Sequence, residues 1–284
     1  MLKSILVPID ESKASISALK VACDLAKLSH AKLKGLYVEN IARLLEWQPV
    51  ELIGSAIGAS TGLPYAKPTQ EQVEIEKEFL KEGEKIKKLF ETELSKSNTR
   101  GIFITQRGKV DDVIVHLSRT VDFVVTGLNH IKGLHNVGHT TENLLRHTTR
   151  PVLVVPEGGK LGKKIIVAYD SSDNAQRALS MAALLTELLN GELQVVSVAN
   201  EIDNADKPLT EVREFLSFYN IQATYRVGFG AGMPWKSIIE EADRTESDLI
   251  VLGAFGSNKL LELIFGSTTY EVLNQTTRPV LLCR

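Results

Sequence analysis

The chain repeats itself. Lys3-Ser-Ile-Leu-Val-Pro-Ile-Asp10-Glu-Ser12 aligns with Lys163-Lys-Ile-Ile-Val-Ala-Tyr-Asp170-Ser-Ser172, and the same spacing of 160 continues from Ala18-Leu19 over Ala178-Leu179 to Asn40 over Asn200. The match returns later, with Asp122 and Gly127 over Asp248 and Gly253, Gly138 over Gly266, and Thr148 to Val152 over Thr276 to Val280. The spacing shortens in between, so the first copy holds roughly thirty additional residues between Ile41 and Arg107. A repeat of this length is one folding unit used twice. It divides the chain into 1–158 and 159–284, with the turn-rich run Pro156 to Gly162 between them.

Each copy alternates short apolar strands with amphipathic helices, the pattern of a mostly parallel sheet covered by helices on both faces. In the second copy the expected strands are Lys164 to Tyr169, Glu192 to Val198, Ala223 to Val227, Leu249 to Leu252 and Val280 to Cys283. The expected fold is therefore α/β, two tandem open five-stranded sheets of Rossmann-like type. Ala178, Met181, Ala182, Leu185 and Leu188 recur at helical spacing and predict a buried stripe. In the first copy Glu71 to Ser95 reads as a solvated helix carrying Val73, Phe79, Ile86 and Phe90. Ile41 to Gln70 is broken by Gly and Pro and reads as a packing loop, an oligomer contact or a gate over the first copy's pocket.

Charge narrows the partners. A net charge of −2 divides into 21 basic against 19 acidic residues up to Gly158 and 12 against 16 beyond it. Neither half carries the basic excess expected of a nucleic-acid or anionic-membrane binder. Without an apolar run of about 18 residues, the expected compartment is the cytoplasm. Cys23 and Cys283 fall on a helix and a buried strand and read as core thiols.

The segment that carries chemistry follows the fourth strand of the second copy: Gly253-x2-Gly256-x9-Gly266-Ser267, then Thr268 and Thr269. Ligands of open parallel sheets bind at the carboxyl ends of the strands, where Gly253 is expected. Glycines let the backbone approach a polyphosphate, and Ser267 with the amides of Thr268 and Thr269 would open a helix whose positive end faces the anion. Asp170, closing the first strand, suits a ribose or adenine-side group; its other role is that of a turn or capping residue.

Other motifs carry less. Gly228-Phe-Gly-Ala-Gly232 would place Met233 where a dinucleotide loop needs its last glycine, and no G-x4-G-K-[ST] occurs. His130, His135, His139 and His147 cluster without a carboxylate or Cys at a familiar zinc interval, so no metal site is expected.

Val167-Ala-Tyr-Asp170, the complete glycine segment and the closing Pro279-Val-Leu-Leu make the second copy resemble the universal stress protein family, with the first copy a degenerate member. The resemblance implies an adenosine side at Ala168, Tyr169, Asp170 and Val198 with Leu252 beside it, and a phosphate side at Gly253, Gly256, Gly266, Ser267, Thr268 and Thr269. It implies ATP, with any Mg2+ held mainly by the phosphates. A second, degenerate site retains Pro8, Asp10, Val38, Gly127, Gly138 and Thr140, but His130 replaces the second glycine, His139 replaces the serine, and the stretch to Gly138 is two residues short. Family members often dimerise through the last strand; here Pro151 to Val155 and Pro279 to Cys283 can pair internally, giving a pseudo-dimeric monomer or a homodimer of tandem chains.

The implied function is nucleotide-dependent regulation in the stress response, not catalysis. Phosphoryl transfer needs positioned charge and an oriented nucleophile, and only Lys259 and hydroxyls lie near the segment. A slow ATPase or nucleotidyl transferase and a nucleotide-free scaffold are the alternatives.

Overall fold

The computed structural model describes residues 2–45, 70–128, 138–199, 206–229, 232–254 and 266–284. The first half runs β1 (Ser4–Pro8), α1 (Lys13–Ser29), β2 (Lys32–Asn40), a single turn α2 (Ala42–Leu45), α3 (Gln70–Ser97), β3 (Arg100–Gly108), α4 (Val110–Ser118), β4 (Phe123–Gly127), α5 (His139–His147) and β5 (Val152–Val155). The second runs β6 (Lys164–Ala168), α6 (Asp173–Leu189), β7 (Glu192–Ala199), α7 (Lys207–Ser217), β8 (Ala223–Phe229), α8 (Pro234–Arg244), β9 (Leu249–Gly253), α9 (Ser267–Gln275) and β10 (Val280–Cys283).

The expected pair of sheets is joined edge to edge into one ten-stranded sheet, β3-β2-β1-β4-β5-β10-β9-β6-β7-β8. Strands pair in parallel within each half, whereas β5 and β10 pair antiparallel, Val152 with Leu282 and Val154 with Val280. The carboxyl ends of β1–β5 and of β6–β10 consequently point to opposite ends of the sheet. The internal pairing of the two last strands is the one anticipated from sequence. It satisfies backbone groups that would otherwise form an open apolar edge.

Strand residues alternate between two cores. Ile5, Val7, Leu153, Val167 and Leu281 face one side, and Leu6, Val152, Val154, Ile166 and Leu282 the other. Each core draws on both halves, so the hydrophobic interior is continuous across the β5–β10 seam. With both faces covered, the strands read as unbroken apolar runs, as in Phe123-Val-Val and Leu249-Ile-Val-Leu. The connecting segment is tied down as well: the Gly158 amide donates to Ser17 Oγ (3.0 Å) and Lys13 pairs with Glu157 (2.9 Å).

Helix stripes differ slightly from expectation. On α6 the buried positions include Ala175, Ala178, Leu179, Ala182 and Leu185, while Met181 and Leu188 sit at the stripe's margin. On α3 Phe79, Gly83, Ile86 and Phe90 are buried but Val73 is exposed. Six residues of helix rotate Val73 about 120° away from Phe79, off the stripe. Arg107 holds this helix with a two-pronged bond to Glu76 (2.7 and 2.6 Å). Among the described residues, no helix is long and apolar enough to cross a membrane.

Candidate functional site

In both halves the strand-to-helix turn has a Ser-to-Asp hydrogen bond and a serine cap; the residue between them is left-handed in the second half but not at Glu11 in the first. After β6 the Asp170 carboxylate accepts the Ser172 amide (3.0 Å), and Ser171 between them takes a left-handed φ of 62°. Ser172 then caps α6 by accepting the Ala175 amide (3.2 Å). After β1, Asp10 accepts the Ser12 amide (2.9 Å) and Ser12 caps α1. Asp170 and Asp10 are therefore turn residues, with serine as the cap; one carboxylate oxygen is engaged by the turn while the side chain remains exposed at the strand end.

Register brings the neighbouring strand ends to the same level. Val167 pairs with Val251, placing Gly253 beside Tyr169, and the Tyr169 amide donates to Val196 O (2.9 Å), placing Val198 on the other side. Ala168, Asp170, Val198, Leu252 and Gly253 thus gather at the carboxyl ends of β6, β7 and β9. Tyr169 is buried and its hydroxyl donates to Glu211 Oε2 of α7 (3.1 Å), so its ring belongs to the wall behind these ends. Burial, reinforced by that carboxylate, pushes the phenol above its ordinary pKa. Glu211 also accepts Ser171 Oγ (2.7 Å) and so clamps the Asp170 turn; nothing in the repeat marks it, because its partner helix differs between halves.

Gly253 has a use independent of any ligand. A Cβ there would lie 2.6 Å from Ala175 N and 2.7 Å from Asn174 C. In the first half, a Cβ on Gly127 would lie 2.6 Å from Ser15 N and 2.7 Å from Ala14 C. The first glycine is required for close packing of strand against helix, which explains why the degenerate copy keeps it.

Gly266 is the N-cap of α9 and has no side chain with which to cap it. The Tyr270 amide bonds back to Gly266 O (3.0 Å), and the Ser267, Thr268 and Thr269 amides of the first turn have no backbone partner among the described residues. Ser267 is exposed, Thr268 half-buried and Thr269 buried. Gly256 and Lys259 lie outside the described residues, as do His130 and His135.

The first half holds a cavity of about 310 Å³ at the same location. All six residues expected of the degenerate site, Pro8, Asp10, Val38, Gly127, Gly138 and Thr140, line it. Arg43 of α2 and Phe79 and Glu82 of α3 complete its wall, so the extra residues of this copy contribute directly. The Arg43 guanidinium lies over the Phe79 ring (4.9 Å) and pairs with Glu82 (3.1 Å), which also accepts the Tyr37 hydroxyl (2.7 Å).

Where α5 meets this cavity, the helix begins with Gly138 as N-cap, as α9 begins with Gly266. His139 does find a carboxylate, supplied by another helix: its Nδ1 lies 3.0 Å from Asp111 Oδ2 on α4. Asp111 is 5% exposed and also accepts Thr140 Oγ1 and Asn143 Nδ2, each at 3.1 Å. Among the described residues no three His, Cys, Asp or Glu side chains gather as metal ligands would.

Comparison with known proteins bears on the fold and on sequence similarity. The universal stress protein family model matches residues 220–284. A universal stress protein of Synechocystis is 27% identical over 295 residues, an alignment spanning 100% of both chains. The stress response protein NhaX of Bacillus subtilis is 26% identical over 163 residues, 43% of this chain and 97% of that one. The crystal structure of a universal stress protein from Archaeoglobus fulgidus superposes with a TM-score of 0.77 at 21% identity, covering 99% of this chain and 98% of that one, and shares its fold. The chain is similar over its whole length to universal stress proteins, and residues 220–284 match that family's model.

Proposed function

We propose that residues 159–284 form a domain that binds ATP, and that occupancy of this site regulates the protein's interactions in a cytoplasmic stress response. The carrying observation is the convergence of Asp170, Val198 and Gly253 at adjacent strand ends in the half whose sequence supplies Gly266-Ser267 at the start of α9. The first-turn amides and the positive end of a helix suit a polyphosphate, and Asp170 and Val198 suit the adenosine. Any Mg2+ would be held mainly by the phosphates. Two buried thiols, Cys23 and Cys283, fit a reducing compartment.

Binding can act without hydrolysis, because a ligand shifts a conformational equilibrium by its differential affinity for the two states. Calorimetric titration tests the site: wild type takes up about one ATP per chain and Gly266→Glu takes up none, since a carboxylate then occupies the phosphate position. Equal uptake by both defeats the reading. A non-hydrolysable analogue reproducing ATP's effect on thermal stability and association state supports a binding switch, whereas a response confined to hydrolysable ATP favours an ATPase.

A further inference from the structure

The first-half cavity keeps one end of the second-half arrangement and inverts the other. Pro8, Asp10 and Val38 repeat the strand-end positions of Ala168, Asp170 and Val198, with the same Ser-to-Asp turn bond, and the same serine caps follow, Ser12 and Ser172. At the other end, Asp111 places a buried negative charge beside the start of α5. It occupies the Thr140 hydroxyl, one of the groups an incoming phosphate would use, and holds His139, which stands where the second half has Ser267. Asp111 lies in the first turn of α4 together with a second acid, Asp112, whereas the first turn of α8 carries no acid. Among the described lining residues the cation Arg43 offers little compensation, because it is paired with both Glu78 (2.5 Å) and Glu82 (3.1 Å). The helix start that favours an anion already faces an internal one.

We propose that the first-half cavity binds an uncharged nucleoside and rejects its phosphorylated forms, with Asp111 as the residue that sets this selectivity. A cavity of about 310 Å³ lies at the small end of the range for organic ligands and suits a base with a sugar. Its apolar wall, including Leu36, Val38 and Phe79, covers a ring, and Asp10 at the exposed rim accepts hydroxyl donors. The inference rests on the adenosine-side assignment in the second half, carried over through the repeat. Because the strand ends of the two halves point in opposite directions, each site can be closed without touching the other.

The test uses the full chain with one site filled by a bulky side chain, and adenosine, AMP and ATP as probes in calorimetric titration. Val198→Trp, which blocks the second half, should lose ATP but retain adenosine, with AMP and ATP at least tenfold weaker. Val38→Trp should retain ATP, which also shows that it folds, and lose the adenosine that Val198→Trp retained. Adding Asp111→Asn to Val198→Trp should narrow the preference for adenosine over AMP at least tenfold. If Val198→Trp binds no adenosine, or binds AMP and ATP as tightly as adenosine, the inference is overturned. If ATP survives Val198→Trp and is lost in Val38→Trp, the second-half reading is the one that fails.

Discussion

Leu281 stands opposite Leu153 across the antiparallel β5–β10 pair, and neither side chain reaches solvent. Their strands join the two halves by backbone hydrogen bonds and by side chains that enter both cores. Expressed separately, residues 1–158 and 159–284 should each expose one of these strands and self-associate through it. Sedimentation would show dimers or larger species for each half, and a mixture should form the heterodimer. Two halves that stay monomeric at high micromolar concentration would contradict the strand-pairing account.

Gly127 lies in the half whose phosphate segment is incomplete, which separates the packing role of this glycine from any ligand role. Gly127→Ala should cost about 1–3 kcal/mol in urea unfolding, because the new methyl group meets α1 backbone that has nowhere to retreat. A glycine needed only for phosphate would tolerate the change in this copy with no loss.

Glu241 is buried on α8, where it accepts two hydrogen bonds from Arg244 (2.9 and 2.6 Å) and one from Gln194 Nε2. The Arg244 hydrogen bonds, ahead of the opposing effect of burial, hold its carboxyl below the ordinary 4.5. A depressed carboxyl stabilises the folded state fully above that ordinary value and loses the contribution as pH falls through the folded one. Glu241→Gln should therefore cost about 1 kcal/mol at pH 7, a figure discounted for the exposed Arg244. The difference from wild type should shrink as pH falls below 4.5. A gap that stays constant from neutral pH to acid would show that the ionised carboxylate is not what matters.

Both cysteines should be inert in the native protein. Burial raises the Cys23 thiol above its ordinary value and pushes Cys283 up to about 12. The thiolate is the reactive form, and neither is populated or accessible at pH 8. A colorimetric disulfide reagent should label neither cysteine until denaturant is added, then both; rapid native labelling of Cys283 would mean that β10 separates from its neighbours β5 and β9.

The repeat made the sheet legible, because parallel strands buried on both faces leave unbroken apolar runs such as Ile165-Ile-Val and Leu249-Ile-Val-Leu. It also pointed to Asp10 and Asp170, though as ligand contacts first, whereas each serves its own turn through the amide two residues on. What sequence could not show depends on which helices meet. Asp111 is separated from His139 by β4 and a connection, and becomes its partner only when α4 and α5 pack side by side. The one available hint was an acid in the first turn of α4 with no counterpart on α8. Tyr37 and Tyr169 mark the same limit: they occupy different positions of the repeat, yet each hydroxyl reaches a glutamate on the helix flanking its cleft, Glu82 on α3 and Glu211 on α7.

The reversal of direction between β5 and β10 decides how the molecule can be approached. Strands of four to nine residues offset the two clefts about 13–30 Å along the strand direction, on opposite rims of one sheet. Anything docked over one rim leaves the other open, so ligands at the two clefts need not compete for surface. Among the described residues the two rims are linked through the buried β5–β10 seam and through the Gly158–Ser17 and Lys13–Glu157 contacts of the connecting segment. The two clefts therefore face away from each other across one continuous sheet.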